Sequence, residues 1–187
     1  MSNVRFGSLA RAIAAAAIVV ASAQAHANIV VNGGFETGDF TGWTRFGNTG
    51  FTGVSTLAHS GTYAAFFGPV GSTGGIFQTL ATIPGETYQI DFWLTNRDGS
   101  PNSFEFNWDG GAPELSLLNF ASAPYTSYSY DLAASSTSTD LRFTFRDDPS
   151  YLWLDDVSVT TVPEPATIAL FGVGLLGLGF SRRRKRA

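Results

Sequence analysis

The sequence contains no cysteine, and it contains no lysine before Lys185. Without cysteine the protein cannot form disulfides, thiolate metal sites or a cysteine nucleophile. Histidine is also scarce, with His26 and His59 the two in the chain. Zinc sites rely on His and Cys ligands, and a Ser-His-Asp triad needs a histidine beside its nucleophile. The composition therefore disfavours both chemistries, and the fold must rely on burial, strand pairing or a bound ion.

Basic residues are few outside the two ends of the chain. Residues 28–161 contain four arginines against fourteen Asp and Glu residues, a formal charge of −10. Binding of nucleic acid requires a basic face that neutralises phosphates. We therefore expect no nucleic-acid partner, and anionic lipid would be repelled as well.

Long segments with a 3.6-residue apolar period are missing from residues 28–161, and period-two alternation occurs instead. Turn sequences such as Pro84-Gly85 and Asp109-Gly110-Gly111 separate the alternating segments. Many short strands with such turns are typical of an antiparallel sandwich or barrel. The shared parity predicts a buried set: Tyr88, Ile90, Phe92, Leu94, Phe143, Phe145, Val157 and Val159.

The N-terminal segment, residues 1–27, has the features of a cleaved signal peptide. Arg5 and Arg11 precede the short apolar run Ala12–Ala23, and Ala25-His26-Ala27 has the small-x-small form that signal peptidase accepts. Cleavage after Ala27 would remove His26, so a catalytic role for His26 is not expected.

The C-terminal segment, residues 162–187, has three parts in a fixed order. An extended Pro-Glu-Pro motif is followed by the apolar run Ala166–Phe180 and then by a basic cluster. We expect residues 166–180 to form a single transmembrane helix. Basic residues are held on the cytoplasmic side of a membrane, so the rest of the protein would lie outside. The motif residues are Val162, Pro163, Glu164 and Pro165, and the basic stop is Arg182, Arg183, Arg184, Lys185 and Arg186.

This tail resembles the PEP-CTERM sorting signal of Gram-negative bacteria. A similar tail is also catalogued under an ice-binding-protein C-terminal label, which describes the tail and does not imply ice binding. The resemblance implies processing by an exosortase-type membrane enzyme, with the tail a transient inner-membrane anchor. The domain would first be periplasmic and would then reach the cell surface or an extracellular matrix. The alternative is a plain C-terminal anchor, which leaves the Pro-Glu-Pro motif without a role.

The central region, residues 28–161, resembles the jelly-roll carbohydrate-binding modules attached to many glycanases. The similar segments begin with Asn28–Glu36 and end with Trp153–Val159, and they occur in the expected order. Between them lie His59–Ala64, Ile76–Thr79 and Pro84–Tyr88. The resemblance implies an all-β fold, an antiparallel jelly-roll β-sandwich, flanked by the signal peptide and the C-terminal transmembrane helix.

The resemblance also implies a structural Ca²⁺ site where the first and last strands meet. Glu36 and Asp155 match the family's carboxylate positions, and the turn from His59 to Gly61 would add carbonyl oxygens. On simple alternation, Asp155 shares a face with Trp153, Val157 and Val159 and points inward, while Asp156 is solvated. The alternative is that Glu36 caps a turn and Asp155 accepts backbone hydrogen bonds.

Sugar binding needs aromatic rings beside polar groups, since a pyranose has apolar faces and a hydroxyl rim. Trp93 with Asp91 and Gln89 is the best candidate set, because these side chains share a face opposite the apolar one. Glu105 and Asn107, together with Arg142, would join this set if their strands are neighbours. The alternative is that Trp93 covers a sheet or a loop. Trp43 and Trp153 are expected to pack in the core or at its rim.

The sequence offers no catalytic residue to name. It has no Gly-x-Ser-x-Gly elbow, and acidic pairs for glycoside hydrolysis cannot be identified without their separation. We therefore expect a non-catalytic protein of the surface or exopolysaccharide matrix that binds an extracellular polysaccharide. One alternative is a structural or adhesion protein without a sugar site. A more remote one is a glycan-active enzyme.

Overall fold

The computed structural model describes residues 27–148 and 150–162. Several predicted features lie outside the described residues. They are the signal segment up to residue 26, the motif residues Pro163, Glu164 and Pro165, the transmembrane helix expected at 166–180 and the basic stop at 182–186. Within the described ranges there is no helix long and apolar enough to cross a membrane.

Ten β-strands make up the described region. They are β1 Thr44–Gly47, β2 Thr52–Ser55, β3 Ala64–Phe67, β4 Gly74–Ala81, β5 Thr87–Asn96, β6 Asn102–Trp108, β7 Leu115–Leu118, β8 Ala123–Ala133, β9 Ser138–Asp147 and β10 Leu152–Thr161.

These strands form two five-stranded antiparallel sheets. The first sheet has the order β1-β4-β9-β6-β7, and the second has the order β2-β3-β10-β5-β8. Consecutive strands thus often belong to different sheets, as in a jelly roll, and the predicted antiparallel β-sandwich is confirmed. Strands β9 and β10 are the central strands of the two sheets, so their inward side chains lie in the middle of the core.

The core between the sheets is rich in phenylalanine. All eight side chains predicted to be buried are at most 2% exposed, so the alternation in the sequence did identify the core. Phe67 of the second sheet stacks on Phe145 of the first with ring centroids 3.8 Å apart, and Phe92 packs against Phe143 at 5.1 Å. Full burial of each such ring contributes about 2–3 kcal/mol, which gives a domain without disulfides its cohesion.

One feature of β10 differs from simple alternation. Asp155 pairs with Trp93 and Ser158 pairs with Asp91, so β10 carries a bulge between Asp155 and Ser158, and Asp156 has a positive φ of 50°. A bulge adds a residue to one strand and reverses the parity beyond it. Leu152 and Leu154 before the bulge, and Val157 and Val159 after it, all face the core.

The predicted inward orientation of Asp155 is wrong, because the bulge reverses the parity between Asp155 and Val157. Trp153 and Asp155 lie on the outer side of the second sheet, opposite to Val157 and Val159, because they pair with outward residues of β5. Asp155 is nevertheless 0% exposed. The backbone of His59 and Ser60 covers it, as their N–H groups donate to Asp155 Oδ2 at 2.7 and 3.2 Å.

Candidate functional site

The five residues predicted to bind glycan do not form one site. Gln89, Asp91 and Trp93 lie on β5 in the second sheet, whereas Glu105 and Asn107 lie on β6 in the first. The two groups therefore occupy opposite outer faces of the sandwich. The condition that their strands be neighbours is not met, and each face must be judged separately.

The outer face of the second sheet, here called the Trp93 face, contains Gln89, Asp91, Trp93, Ser127 and Ser129. Trp93 is half-buried because the imidazole of His59 stacks on its ring, with centroids 3.7 Å apart and planes 14° from parallel. Tyr125 meets His59 edge-on at 5.4 Å, and its hydroxyl donates to the Leu57 carbonyl at 2.8 Å.

The segment between β2 and β3 therefore lies over Trp93. Imidazole and indole are in van der Waals contact, so a sugar could not reach the covered side of the Trp93 ring without moving His59. This arrangement corresponds to the alternative in which Trp93 packs under a loop. The polar neighbours remain available, with Gln89 Nε2 3.4 Å from both Asp91 Oδ1 and Ser129 Oγ.

The residues predicted to bind calcium are brought together beside this face. Glu36 Oε1 accepts the N–H groups of Thr62 at 2.8 Å and Tyr63 at 3.0 Å. Asp155 Oδ1 accepts the N–H of Asp156 at 2.8 Å. These are the contacts expected if the carboxylates organise the turn after residue 58. In the described part of the chain, no three acidic or histidine side chains are close enough together to hold a metal ion by themselves.

The Asp155 and Asp156 carboxylates nonetheless lie beside Gly34, and the Glu36 methylene lies at a similar distance. A methyl group on Gly34 would lie 3.7 Å from Asp156 Oδ1 and 3.9 Å from Asp155 Oδ1, with Glu36 Cγ at 3.7 Å. Burial raises the pKa of Asp155 to about 6, the N–H donors oppose this rise, and the charge of Asp156 adds to it. Asp156 itself is paired with His59, Oδ2 to Nδ1, at 2.6 Å. The site is thus rich in negative charge and poor in cations.

The outer face of the first sheet has a different character. We call it the Arg142 face and define it by Phe46, Phe77, Glu105, Asn107, Arg142 and Thr144, all of them half-buried. Strand pairing places Phe77, Arg142 and Asn107 in one row across β4, β9 and β6. Gly75, Thr144 and Glu105 form the next row, and Phe46 of β1 pairs with Gly75.

The aromatic rings of the Arg142 face surround its cation. The guanidinium carbon of Arg142 lies 4.1 Å from the centroid of Phe46 and 5.1 Å from that of Phe77. The two rings are 6.3 Å apart. A methyl group on Gly75 would lie within 3.0 Å of the Phe46 ring, so glycine leaves the space that this ring occupies. The result is an apolar surface with a cation, an amide and a carboxylate beside it.

Phe46 and Phe77 were missed by sequence reasoning, although the signal was present. Phe77 alternates with the core residues Ile76 and Gln78 and is therefore outward. The sequence identified its partner Arg142 as a candidate. It did not predict that β6 and β9 lie in the sheet opposite β5.

Trp43 and Trp153 lie where they were expected, away from solvent. Trp43 is 7% exposed, stacks on Phe35 with centroids 5.9 Å apart, and donates Nε1–H to the Asn32 carbonyl. Trp153 is 8% exposed at the rim of the second sheet, where Nε1–H donates to Ser55 Oγ at 3.3 Å.

Two families match this sequence over separate regions. The carbohydrate-binding domain family matches residues 27–150, and the PEP-CTERM protein-sorting motif matches residues 161–185. A curated relative, endo-1,4-beta-xylanase A of Thermoanaerobacterium saccharolyticum, is 32% identical over 76 residues. This match covers 39% of the chain and 7% of the xylanase, so the chain corresponds to a small part of that enzyme.

Solved structures of binding modules share the fold. The module TmCBM61, solved in complex with β-1,4-galactotriose, superposes with a TM-score of 0.59 at 19% identity, over 73% of this chain and 99% of the module. The xylan-binding domain CBM22-1 of Xyn10C from Paenibacillus barcinonensis has a TM-score of 0.50 at 17% identity, over 71% and 93% of the two chains. Identities this low establish the shared fold and do not transfer a ligand.

Proposed function

Because the chain belongs to the carbohydrate-binding domain family and has a PEP-CTERM sorting motif, we propose that it is an exported, non-catalytic protein that binds glycan at the cell surface or in an exopolysaccharide matrix. The observation that carries this proposal is the composition of the Arg142 face. Phe46 and Phe77 supply rings for the apolar faces of sugars, and Arg142, Asn107 and Glu105 supply donors and acceptors for hydroxyl groups.

The Arg142 face is favoured over the Trp93 face as the binding surface. The side chain beside its rings is the Arg142 guanidinium, which itself supplies N–H donors, whereas the Trp93 ring is covered by the His59 imidazole at 3.7 Å. A sheet face with half-buried polar side chains suits an extended polysaccharide chain, which passes across strands and contacts several rows. The ligands named for the similar structures are β-1,4-galactotriose and xylan, so β-1,4-galactan and xylan are the first polymers to test.

Affinity electrophoresis of the exported protein in gels containing xylan, β-1,4-galactan or acidic polysaccharides tests the proposal. Phe77→Ala should weaken the affinity about 5- to 30-fold and reduce the retardation accordingly, because the loss of one stacked ring costs about 1–2 kcal/mol. Thr79→Ala is the matched control, since Thr79 is the next outward residue of β4 and is exposed. Failure of every polysaccharide to retard the protein would contradict the proposal and favour a structural or adhesion role without a sugar site.

We further propose that the sorting tail is removed by an exosortase-type enzyme after the signal peptide is cleaved by signal peptidase. The match of residues 161–185 to the sorting motif supports this proposal, since that motif includes Pro163-Glu164-Pro165 and the basic stop. The tail would anchor the protein in the inner membrane, with the domain periplasmic, until processing releases it to the surface or matrix. The apolar run of about 15 residues is shorter than the ~20 that span a bilayer comfortably, which suits a temporary anchor.

A structural calcium ion beside Gly34 is a third proposal. Glu36 and Asp155 would supply carboxylate oxygens, and backbone carbonyls of the turn from His59 to Gly61 would complete the shell. The observation in favour is that the Asp155 and Asp156 carboxylates lie beside Gly34 with Asp155 fully buried. A divalent cation would offset this negative charge, which the N–H donors do in part.

A further inference from the structure

Arg142 has an unusual position for an arginine. It lies on β9, the central strand of the first sheet, and its neighbours in the same row are Phe77 on β4 and Asn107 on β6. It is the charged group nearest the middle of the face proposed to bind glycan. The three other arginines of residues 28–161 lie elsewhere or are neutralised: Arg45 lies over Phe40, Arg97 lies over Trp153, and Arg146 is paired with Asp148 at 2.6 Å.

The guanidinium of Arg142 is held by aromatic rings. Its central carbon is 4.1 Å from the Phe46 centroid and 5.1 Å from the Phe77 centroid. Cation–π contact with the two rings restrains the guanidinium beside them. Such a fixed fork matches the two oxygens of a carboxylate, whereas a lysine ammonium would not.

No protein carboxylate neutralises Arg142 within residues 27–148 and 150–162. The ion pairs there are Arg146 with Asp148 and His59 with Asp156, and Arg142 takes part in neither. Glu105 pairs across the strands with Thr144, one row away from Arg142. Asp140 pairs with Thr79 one row away on the other side, and its Oδ1 accepts a hydrogen bond from Thr79 Oγ1 at 2.6 Å. A half-buried cation without a counter-ion is favourable for an incoming anion, since much of its desolvation cost is already met by the fold.

The negative charge of the domain limits the part of its surface to which an anionic ligand can bind. Residues 28–161 have a formal charge of −10, so an anionic polymer is repelled by most of the surface. Such a polymer could be held only locally, through one carboxylate placed against Arg142. On the Trp93 face Asp91 pairs with Ser129, and in the next row Gln89 pairs with Asp131, so two carboxylates there would repel an acidic ligand.

We propose that the Arg142 face recognises an acidic polysaccharide, with Arg142 forming a bidentate contact to the carboxylate of a uronic acid residue. In this arrangement Phe77 stacks on the same sugar or its neighbour, and Asn107 binds ring hydroxyls. This inference rests on the proposed glycan-binding function of the same face and adds the class of its ligand.

The experiment compares two forms of one polymer. Polygalacturonate and its fully methyl-esterified form have the same backbone, and they differ in the charge of the carboxyl group. The exported full-length protein should bind the free acid at least tenfold more tightly than the ester, with an affinity that falls as salt is raised. Arg142→Gln should abolish this preference, and Arg142→Lys should lose most of it because lysine lacks the planar fork.

Arg97→Gln is the matched control, since it removes the same charge from the turn after β5, away from the Arg142 face, and should leave the preference unchanged. Thermal melting of each variant establishes that it is folded. Equal or tighter binding of the ester by the wild type would overturn the inference and leave the proposed glycan binding intact. An acid preference that persists in Arg142→Gln would overturn the role of Arg142. Failure to bind these polymers, xylan and galactan alike would remove the proposed function itself.

Discussion

Asp147 is a buried carboxyl group without a satisfactory partner. It ends β9, its side chain is 0% exposed, and no donor in the described residues forms a hydrogen bond to either carboxylate oxygen. Burial raises its pKa to about 6, and the charges of Asp148 and Asp98 add to this rise. The nearby backbone N–H of Ser150 opposes the rise in pKa, although it does not complete a hydrogen bond to the carboxylate. Asp147 should therefore destabilise the folded domain whenever it is ionised.

The sign and size of the effect follow from linkage. The folded-state pKa of about 6 exceeds the ordinary value of 3.8, so the folded state binds more protons between these two values. Stability contributed by the protonated form is present at low pH and is lost as the pH rises through about 6. A difference of about two pKa units corresponds to about 3 kcal/mol at pH 7.5. Asn in place of Asp removes the charge but leaves amide groups to satisfy, so we expect Asp147→Asn to gain about 1–2 kcal/mol.

Thermal melting from pH 4.5 to 7.5 in chelator provides the assay. At pH 7.5 Asp147→Asn should raise the melting temperature by roughly 4–8 °C for a domain of this size, and near pH 4.5 it should have little effect. Asp131→Asn is the control, because Asp131 is exposed on the edge strand β8 and its replacement changes net charge equally. The reasoning fails if Asp147→Asn is destabilising at pH 7.5, or if its effect does not depend on pH.

Three further predictions concern the other face and the ends of the chain. Calcium at a hundredfold excess over its Kd should add about 2.7 kcal/mol to the free energy of unfolding and so raise the melting temperature. Asp155→Ala should abolish this shift and Asp147→Asn should retain it, whereas an unchanged melting curve in chelator would reject the site. His59→Ala should uncover Trp93, lower the stability by about 1 kcal/mol and make acrylamide quench tryptophan fluorescence more strongly. Unaltered quenching would show that the stacking does not protect the ring. Mass spectrometry of the surface form should find residues 182–186 missing, and their retention in a strain with the processing enzyme would leave only a plain anchor.

The core was predictable because its signal is local. A strand with one buried face must alternate, so Tyr88 to Leu94 identified their own orientation without knowledge of any partner strand. The same rule failed at Asp155, where one extra residue reversed the parity. Bulges of this kind depend on the backbone, here on Asp156 at positive φ, and period-two counting cannot include them.

The candidate site was less predictable because it depends on which strands are neighbours. β5 and β6 are separated by a short turn, and consecutive strands commonly pair as hairpins. In this protein the turn carries the chain from one sheet to the other, so Trp93 and Asn107 are on opposite sides. The Arg142 face is assembled from β1, β4, β9 and β6, whose pairing involves contacts between distant residues. The sequence predicted that aromatic rings and polar groups suited to sugar are present. Which of them share a face could be established only from the order of the strands in each sheet.

The position of β10 has a consequence for the order of folding events. This strand is the last in the sequence but the central one of its sheet, and the backbone N–H of Ile29 also donates to the Val159 carbonyl. A chain leaves a ribosome or a translocation pore with its N-terminus first. The second sheet therefore stays divided into β2-β3 and β5-β8 until β10 has emerged. The domain can therefore close only once Thr161 has emerged, immediately ahead of the sorting motif. Contacts of such long sequence separation form slowly, which leaves edges exposed in the interval. Tethering by the residues still to emerge would keep each unfinished copy away from its neighbours during that time.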